Sequence, residues 1–115
     1  VESIARLASA LRGRALVGAG TVMTEAEVAQ VAAAGGALLV TPHADPALVR
    51  AAKARGMLAC PGFFTPAEAF ALLQAGADAL KLFPAEAASP AVLRALRAVL
   101  PPGTAVLPVG GMDAA

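Results

Sequence analysis

Apolar residues along the chain fall in short blocks separated by glycine, proline and charged residues. Longer stretches with apolar positions at helical spacing alternate with short continuous apolar blocks, which are typical of buried strands. A first helix is predicted at residues 1–12, where Ile4, Leu7, Ala8 and Leu11 share one face. Strands are predicted at Ala15–Ala19, Leu38–Thr41, Met57–Pro61, Ala79–Phe83 and Ala105–Val109.

Residues that favour helix ends and helix starts mark the boundaries between these blocks. Gly35, Gly56 and Gly76 follow three helical stretches, and glycine adopts the left-handed conformation that commonly ends a helix. Four helix starts are marked by two pairs with capping-box spacing and by two capping residues before proline: Thr24 with Glu27, Thr65 with Glu68, Asp45-Pro46 and Ser89-Pro90. Local chemistry therefore supports the alternation independently of hydrophobicity.

Regular alternation of strand and helix predicts an α/β fold with parallel strands joined by right-handed crossovers. A doubly wound open sheet and a (β/α)8 TIM barrel both have this order. The helix-ending glycines lie 21 and 20 residues apart (56−35 and 76−56), which suits a compact barrel without deciding between the two. We expect residues 1–115 to be one partial (β/α)8 barrel domain of about five βα units, with two early strands and one late strand absent.

Composition and charge exclude several classes of function. Hydrophobic residues make up 58% of the chain and charged residues 15%, as in parallel strands covered on both faces. No apolar run approaches the roughly 18 residues of a membrane-spanning helix, and no signal-peptide pattern opens the chain, so we expect a cytoplasmic protein. A net charge of +1 without a basic face argues against nucleic-acid binding, and the single Cys60 excludes an internal disulfide.

Lys81 is the most informative candidate, because it interrupts the apolar strand Ala79–Phe83. Alternation along a strand places Lys81 on the face opposite Leu80 and Leu82. If the leucines face the helices, Lys81 points into the barrel, where loss of hydration favours the free amine that attacks a carbonyl. A solvated lysine that protects a sheet edge is the alternative interpretation.

The other candidates lie where the predicted strands end, since parallel α/β folds build their sites there. Gly18–Thr21 lacks the third glycine of a dinucleotide-binding loop, so it is predicted either to receive a small carboxylate or only to end its strand. Gly110-Gly111 suits phosphate binding at a helix start, or a simple turn. We expect His43 to be a turn histidine and Glu86 a solvated carboxylate.

Taken together, the motifs at the strand ends resemble the 2-keto-3-deoxy-6-phosphogluconate / 2-keto-3-deoxy-6-phosphogalactonate aldolase family. They follow one another in the family's order and spacing: Val17–Val22, Thr41-Pro42, Cys60-Pro61-Gly62, Leu80–Pro84 and Val109–Gly111. The galactonate branch is favoured by Cys60–Gly62, Glu68–Phe70 and Leu93–Pro101, whereas Phe83–Glu86 is also similar to the gluconate branch.

This resemblance implies a class I aldolase that cleaves 2-dehydro-3-deoxy-6-phosphogalactonate, or its gluconate epimer, to pyruvate and glyceraldehyde 3-phosphate. It implies that Lys81 forms the Schiff base and that the remaining site residues bind the substrate. Gly20 and Thr21 would hold the keto-acid carboxylate, Pro42 and Phe83 would line the pocket, and Val109, Gly110 and Gly111 would form part of the phosphate site.

The resemblance further implies a homotrimer that needs neither a cofactor nor a metal. The family's acid/base glutamate and a carboxylate-binding arginine belong to early strands, which we expect upstream of Val1, and no residue here is assigned to either role. Two alternatives remain open from the sequence. One is another phosphate-binding barrel enzyme, an isomerase or epimerase without an imine, and the other is a non-catalytic sugar-phosphate-binding or structural fragment.

Overall fold

The computed structural model describes residues 2–11 and 17–110. In these residues helices and strands alternate as predicted. The helices are α1 (Glu2–Ala10), α2 (Glu25–Ala33), α3 (Pro46–Ala54), α4 (Pro66–Gln74) and α5 (Pro90–Val99). The strands are β1 (Gly18–Ala19), β2 (Leu38–Val40), β3 (Leu58–Cys60), β4 (Gly62–Phe63), β5 (Leu80–Leu82) and β6 (Val106–Pro108).

The predicted helix ends are formed with one difference. Thr65 and Glu68 make the complete capping box at α4. At α2 the Thr24 hydroxyl accepts from the Glu27 amide at 3.1 Å, but the Glu27 carboxylate accepts from that same hydroxyl and not from the backbone. Asp45 and Ser89 cap α3 and α5, each before a proline in the first turn. The three helix-ending glycines all have positive φ, between 74° and 103°.

All strand pairs are parallel and follow sequence order, β1-β2-β3 in one sheet and β4-β5-β6 in the other. The strand predicted to end at Pro61 instead continues beyond it as β4, so this end of the prediction was wrong. Pro61 has no amide hydrogen to donate, and the two halves therefore pair with different neighbours, β3 with β2 and β4 with β5. The Pro61 carbonyl accepts from the Lys81 amide at 2.9 Å and links the two sheets.

The main core lies between the strands and the helices. Leu80 and Leu82 are 0% and 2% exposed and pack into it, as the alternation along β5 predicts. The opposite face of the sheets is concave and carries apolar side chains that stay open to solvent, with Leu58 39% and Leu107 52% exposed. Helix α1 has no fully buried residue: Ile4 is half-buried against the core, whereas Leu7 is exposed.

No helix in residues 2–11 and 17–110 is long and apolar enough to cross a membrane.

Candidate active site

Lys81 lies on the concave face of the sheets, in the wall of a cavity of about 370 Å³. Most of the wall consists of alternate residues of four strands and their flanks, as expected for side chains on one face of a sheet, and Ala59 and Asp78 complete it. The alternating residues are Leu38 and Val40, Leu58 and Cys60, Ala79 and Lys81, and Leu107 and Val109. Lys81 itself is half-buried, while Leu80 and Leu82 on either side face the helices. The cavity therefore presents one amine among mainly apolar side chains.

The Lys81 amine lies over an aromatic ring. Its Nζ is 4.6 Å from the centroid of Phe83, which is within the distance of a cation–π interaction. Across the described part of the chain, the ion pairs are Glu2–Arg6 and Lys53–Asp78, and Lys81 takes part in neither. The cation at Lys81 is therefore faced by an aromatic ring and not by a carboxylate.

Cys60 occupies the neighbouring part of the same cavity wall and is buried. Burial raises the pKa of the Cys60 thiol, and the positive charge of Lys81 acts in the opposite direction. Cys60 belongs to a predicted strand-end motif but is not among the residues predicted to act on the substrate. Alternation sets the face of the strand on which Cys60 lies. The Cys60 thiol and the Lys81 amine line the same wall because of the strand register, in which Gly62 pairs with Lys81.

A buried hydroxyl joins the ends of β2 and β4. Thr41 is 1% exposed, and its Oγ1 donates to the His43 carbonyl at 2.7 Å while accepting from the Gly62 amide at 3.1 Å. A Cβ on Gly62 would lie 2.8 Å from the carbonyl carbon and oxygen of Pro42, so only glycine allows this approach. These contacts fix the backbone of Pro42 at the carboxyl end of the sheet. The His43 residue is exposed.

The end of β6 lies directly beside the Phe83 ring. The Val109 amide donates to the Leu82 carbonyl at 3.0 Å, and its carbonyl accepts from the Ala85 amide at 2.8 Å. Gly110 follows with φ of 104°, and a Cβ there would lie 3.3 Å from two carbons of the Phe83 ring. The absence of a side chain at Gly110 thus makes room for the ring. Gly111, the last predicted phosphate-site residue, lies outside the described residues.

Gly20 and Thr21 follow β1 and are exposed. Thr21 has φ of 56°, a left-handed conformation that is costly for a β-branched residue and that often marks a functional position. β2 and the β3–β4 segment lie between β1 and β5. Gly20 and Thr21 are therefore at the carboxyl end of the sheets, but they are not next to Lys81. The structure therefore groups Lys81, Phe83, Val109 and Gly110 most closely.

The rest of the described surface adds no evident metal site. Among residues 2–11 and 17–110, no three His, Cys, Asp or Glu side chains come close enough to share an ion. Glu86 is exposed on the short 3-10 helix Ala85–Ala87 that follows β5. The chemistry that this arrangement can perform is nucleophilic attack by an amine, in a mainly apolar cavity on the concave face of parallel strands.

Comparison with known proteins identifies the family to which the chain is similar. The family model for KDPG and KHG aldolase matches residues 1–115. The 2-dehydro-3-deoxy-6-phosphogalactonate aldolase of Escherichia coli is 45% identical over 111 residues, which are 96% of this chain and 54% of the relative. The chain spans about half the length of the curated relatives that it matches.

Two solved structures share the fold. One, described as native KDPGal, has a TM-score of 0.93 at 45% identity and is matched over 96% of this chain and 53% of its own. The other is the KDPG aldolase of Legionella pneumophila, with pyruvate captured at low pH as a covalent carbinolamine intermediate. It has a TM-score of 0.86 at 29% identity, over 97% of this chain and 54% of its own. The chain thus has the α/β fold of these aldolase structures.

Proposed function

Because the chain belongs to the KDPG and KHG aldolase family, we propose that its protein is a class I aldolase. The proposed reaction cleaves 2-dehydro-3-deoxy-6-phosphogalactonate to pyruvate and glyceraldehyde 3-phosphate through a Schiff base on Lys81. The observation that carries the proposal is the Lys81 amine in the wall of a mainly apolar cavity on the concave face of the parallel strands. Support for covalent chemistry with pyruvate comes from the Legionella pneumophila structure, in which pyruvate is captured as a carbinolamine.

The reaction begins with attack of the neutral Lys81 amine on the C2 carbonyl carbon of the keto acid. A C–N bond forms, the carbonyl oxygen leaves as water, and the nitrogen becomes the cation of a protonated imine. When the C4 hydroxyl loses its proton, the C3–C4 bond breaks and its electron pair passes to the imine. Glyceraldehyde 3-phosphate departs, and the pyruvate enamine remains. Protonation at C3 and hydrolysis of the imine then release pyruvate and restore the amine.

The substrate-binding roles are proposals that rest on the resemblance and on position. Gly20 and Thr21 would receive the carboxylate, and Pro42 would form the pocket wall beside the β2 end. Val109, Gly110 and Gly111 would contribute to the phosphate site. Amide groups at a strand end are suited to both anions, because each anion accepts several N–H donors. The Val109 amide already donates to the Leu82 carbonyl, so the Gly110 and Gly111 amides would be the donors to the phosphate. We assign the proton transfers to no residue of this chain.

The galactonate epimer is favoured by similarity. Identity is 45% to the Escherichia coli galactonate enzyme and 34% to the KHG/KDPG aldolase of the same organism. The homotrimer and the cytoplasmic location stay predictions.

We also propose that residues 1–115 are part of a (β/α)8 barrel. The concave face supports this, since Leu58 and Leu107 are apolar and more than a third exposed there, where the remaining strands of a barrel would cover them.

Trapping with pyruvate tests the assignment of Lys81. The chain has two lysines, Lys53 and Lys81. Lys53 is held in an ion pair with Asp78, whereas Lys81 has no carboxylate partner among the described residues, so Lys53 is a matched control. Borohydride and pyruvate added to the full-length protein should label the peptide that carries Lys81. Lys81→Arg should lose both the label and turnover, because a guanidinium stays protonated. Lys53→Arg should keep both, and labelling that survives Lys81→Arg would remove the proposal.

A further inference from the structure

The Phe83 ring contacts both a lysine and a glycine. The Lys81 Nζ lies over the ring, 4.6 Å from its centroid. The backbone of Gly110 approaches the ring so closely that an added Cβ would be 3.3 Å from its Cδ1 and Cε1. Phe83 is half-buried, and its amide donates to the Phe63 carbonyl at 3.2 Å. The ring therefore has a defined place from which to act on the amine.

Few other charged or titratable groups of the described residues face the cavity. Asp78 lies at its far end, where the carboxylate accepts from Lys53 at 2.9 and 3.1 Å and from the Ala59 amide at 2.8 Å. Cys60 is a buried thiol whose pKa is raised by burial, so it supplies little negative charge near neutral pH. The strand on the other side, β6, contributes only Leu107 and Val109 to the wall.

We propose that Phe83 is a positioning residue for the Lys81 amine, and that its ring face stabilises positive charge on the Lys81 nitrogen, as ammonium before reaction and as iminium after it. This inference rests on the proposed function. It assigns the ring an electrostatic role in addition to that of lining the pocket. The negative face of an aromatic ring attracts a cation but not a neutral amine.

The charge on the Lys81 nitrogen changes during imine formation, and this change makes the effect of the Phe83 ring measurable. The ammonium must lose a proton before its nitrogen lone pair can attack C2, and the positive charge returns when water leaves. A ring that stabilises both cations makes the free amine less abundant at a given pH. Weakening the ring face should therefore let pyruvate be trapped at lower pH, without any change in the shape of the side chain.

Stepwise fluorination of one phenylalanine measures the effect directly. The full-length protein would carry 4-fluoro-, 3,5-difluoro- or 3,4,5-trifluorophenylalanine at position 83, because fluorine withdraws electron density from the ring face. The same series at Phe70, which is 40% exposed on α4, is the matched control. The readout is the pH at which the rate of pyruvate trapping is half-maximal, with cyanoborohydride in large excess. Under that condition each imine is reduced as it forms, and the rate reports attack by the free amine. The trifluoro form at Phe83 should lower this pH by about half a unit, or about threefold in free amine.

The outcomes separate this inference from the proposed function. A graded shift at Phe83 with a flat series at Phe70 supports the electrostatic role. Trapping at Lys81 in every form with a flat series at Phe83 overturns that role and leaves the Schiff-base proposal intact. No trapping at Lys81 in the unsubstituted protein removes the proposed nucleophile, and the role of the ring with it. Phe83→Leu is less informative, since it changes volume as well as charge distribution.

Discussion

Replacing Thr41 by valine should destabilise the fold through a single buried hydroxyl. Thr41 is 1% exposed, and its Oγ1 both donates to the His43 carbonyl and accepts from the Gly62 amide. Valine has nearly the same shape but forms neither bond, and it leaves the Gly62 amide without its partner in a buried setting. An unpartnered buried donor costs about 1–3 kcal/mol, and the lost bond to His43 adds about 1 kcal/mol. We expect Thr41→Val to lower the free energy of unfolding by about 2–4 kcal/mol.

Chemical denaturation of the full-length protein, followed by circular dichroism, measures this loss. Thr41→Ser is the matched control, because it keeps the hydroxyl and removes only one methyl group, at a cost of about 1 kcal/mol. The serine variant should therefore be the more stable of the two. If both variants lost the same amount, or if valine were within about 0.5 kcal/mol of the parent, the hydroxyl would not be holding β2 to β4.

Two further predictions concern the substrate site and the salt bridge. On the proposed role of Thr21 in holding the substrate carboxylate, Thr21→Val in the full-length protein should remove one hydrogen bond to a charged group and weaken binding of pyruvate and substrate by about 1.5–3 kcal/mol. Unchanged KM and kcat would mean that Thr21 only ends its strand. For Asp78, partial burial acts to raise the pKa, but the hydrogen bonds from Lys53 and the Ala59 amide and the Lys53 charge together lower it. Its stabilising contribution is therefore complete above the ordinary carboxyl pKa of about 3.9 and is lost as pH falls through the lower folded value. Asp78→Asn should be less stable than the parent at pH 7, by less than about 1 kcal/mol because the pair is partly exposed to solvent, and the difference should vanish in acid; a difference that persists there would mean that charge is not its cause.

The elements that sequence could predict are those set by local chemistry. The Thr65–Glu68 capping box involves residues three apart, and the inward direction of Lys81 follows from alternation within five residues of one strand. Both predictions needed no knowledge of which strands are neighbours. The helix-ending glycines belong to the same class, since a left-handed residue after a helix depends on the backbone of that residue alone.

The features that sequence did not predict depend on register. Cys60 and Lys81 share a wall only because Gly62 pairs with Lys81, a relation between segments about 20 residues apart. The Thr41 hydroxyl is buried because the β4 amide of Gly62 reaches it across 21 residues. The contact between the Lys81 amine and the Phe83 ring also depends on side-chain rotamers. Alternation places these two residues on one face but does not set the distance between them.

The order of the strands also bears on how the chain acquires its structure. Within each sheet, every strand pairs with the next one along the chain. The paired residues Gly18 and Leu38, Leu38 and Leu58, and Gly62 and Lys81 are 20, 20 and 19 residues apart, and Leu80 and Val106 are 26 apart (38−18, 58−38, 81−62, 106−80). Each closure therefore involves a short loop of similar entropy, and none has to wait for a distant segment. Such a chain can assemble in the order of its synthesis, one strand–helix unit adding to the edge left by the previous one. Until the next unit arrives, each newly formed edge strand is the segment most exposed to pairing with another molecule.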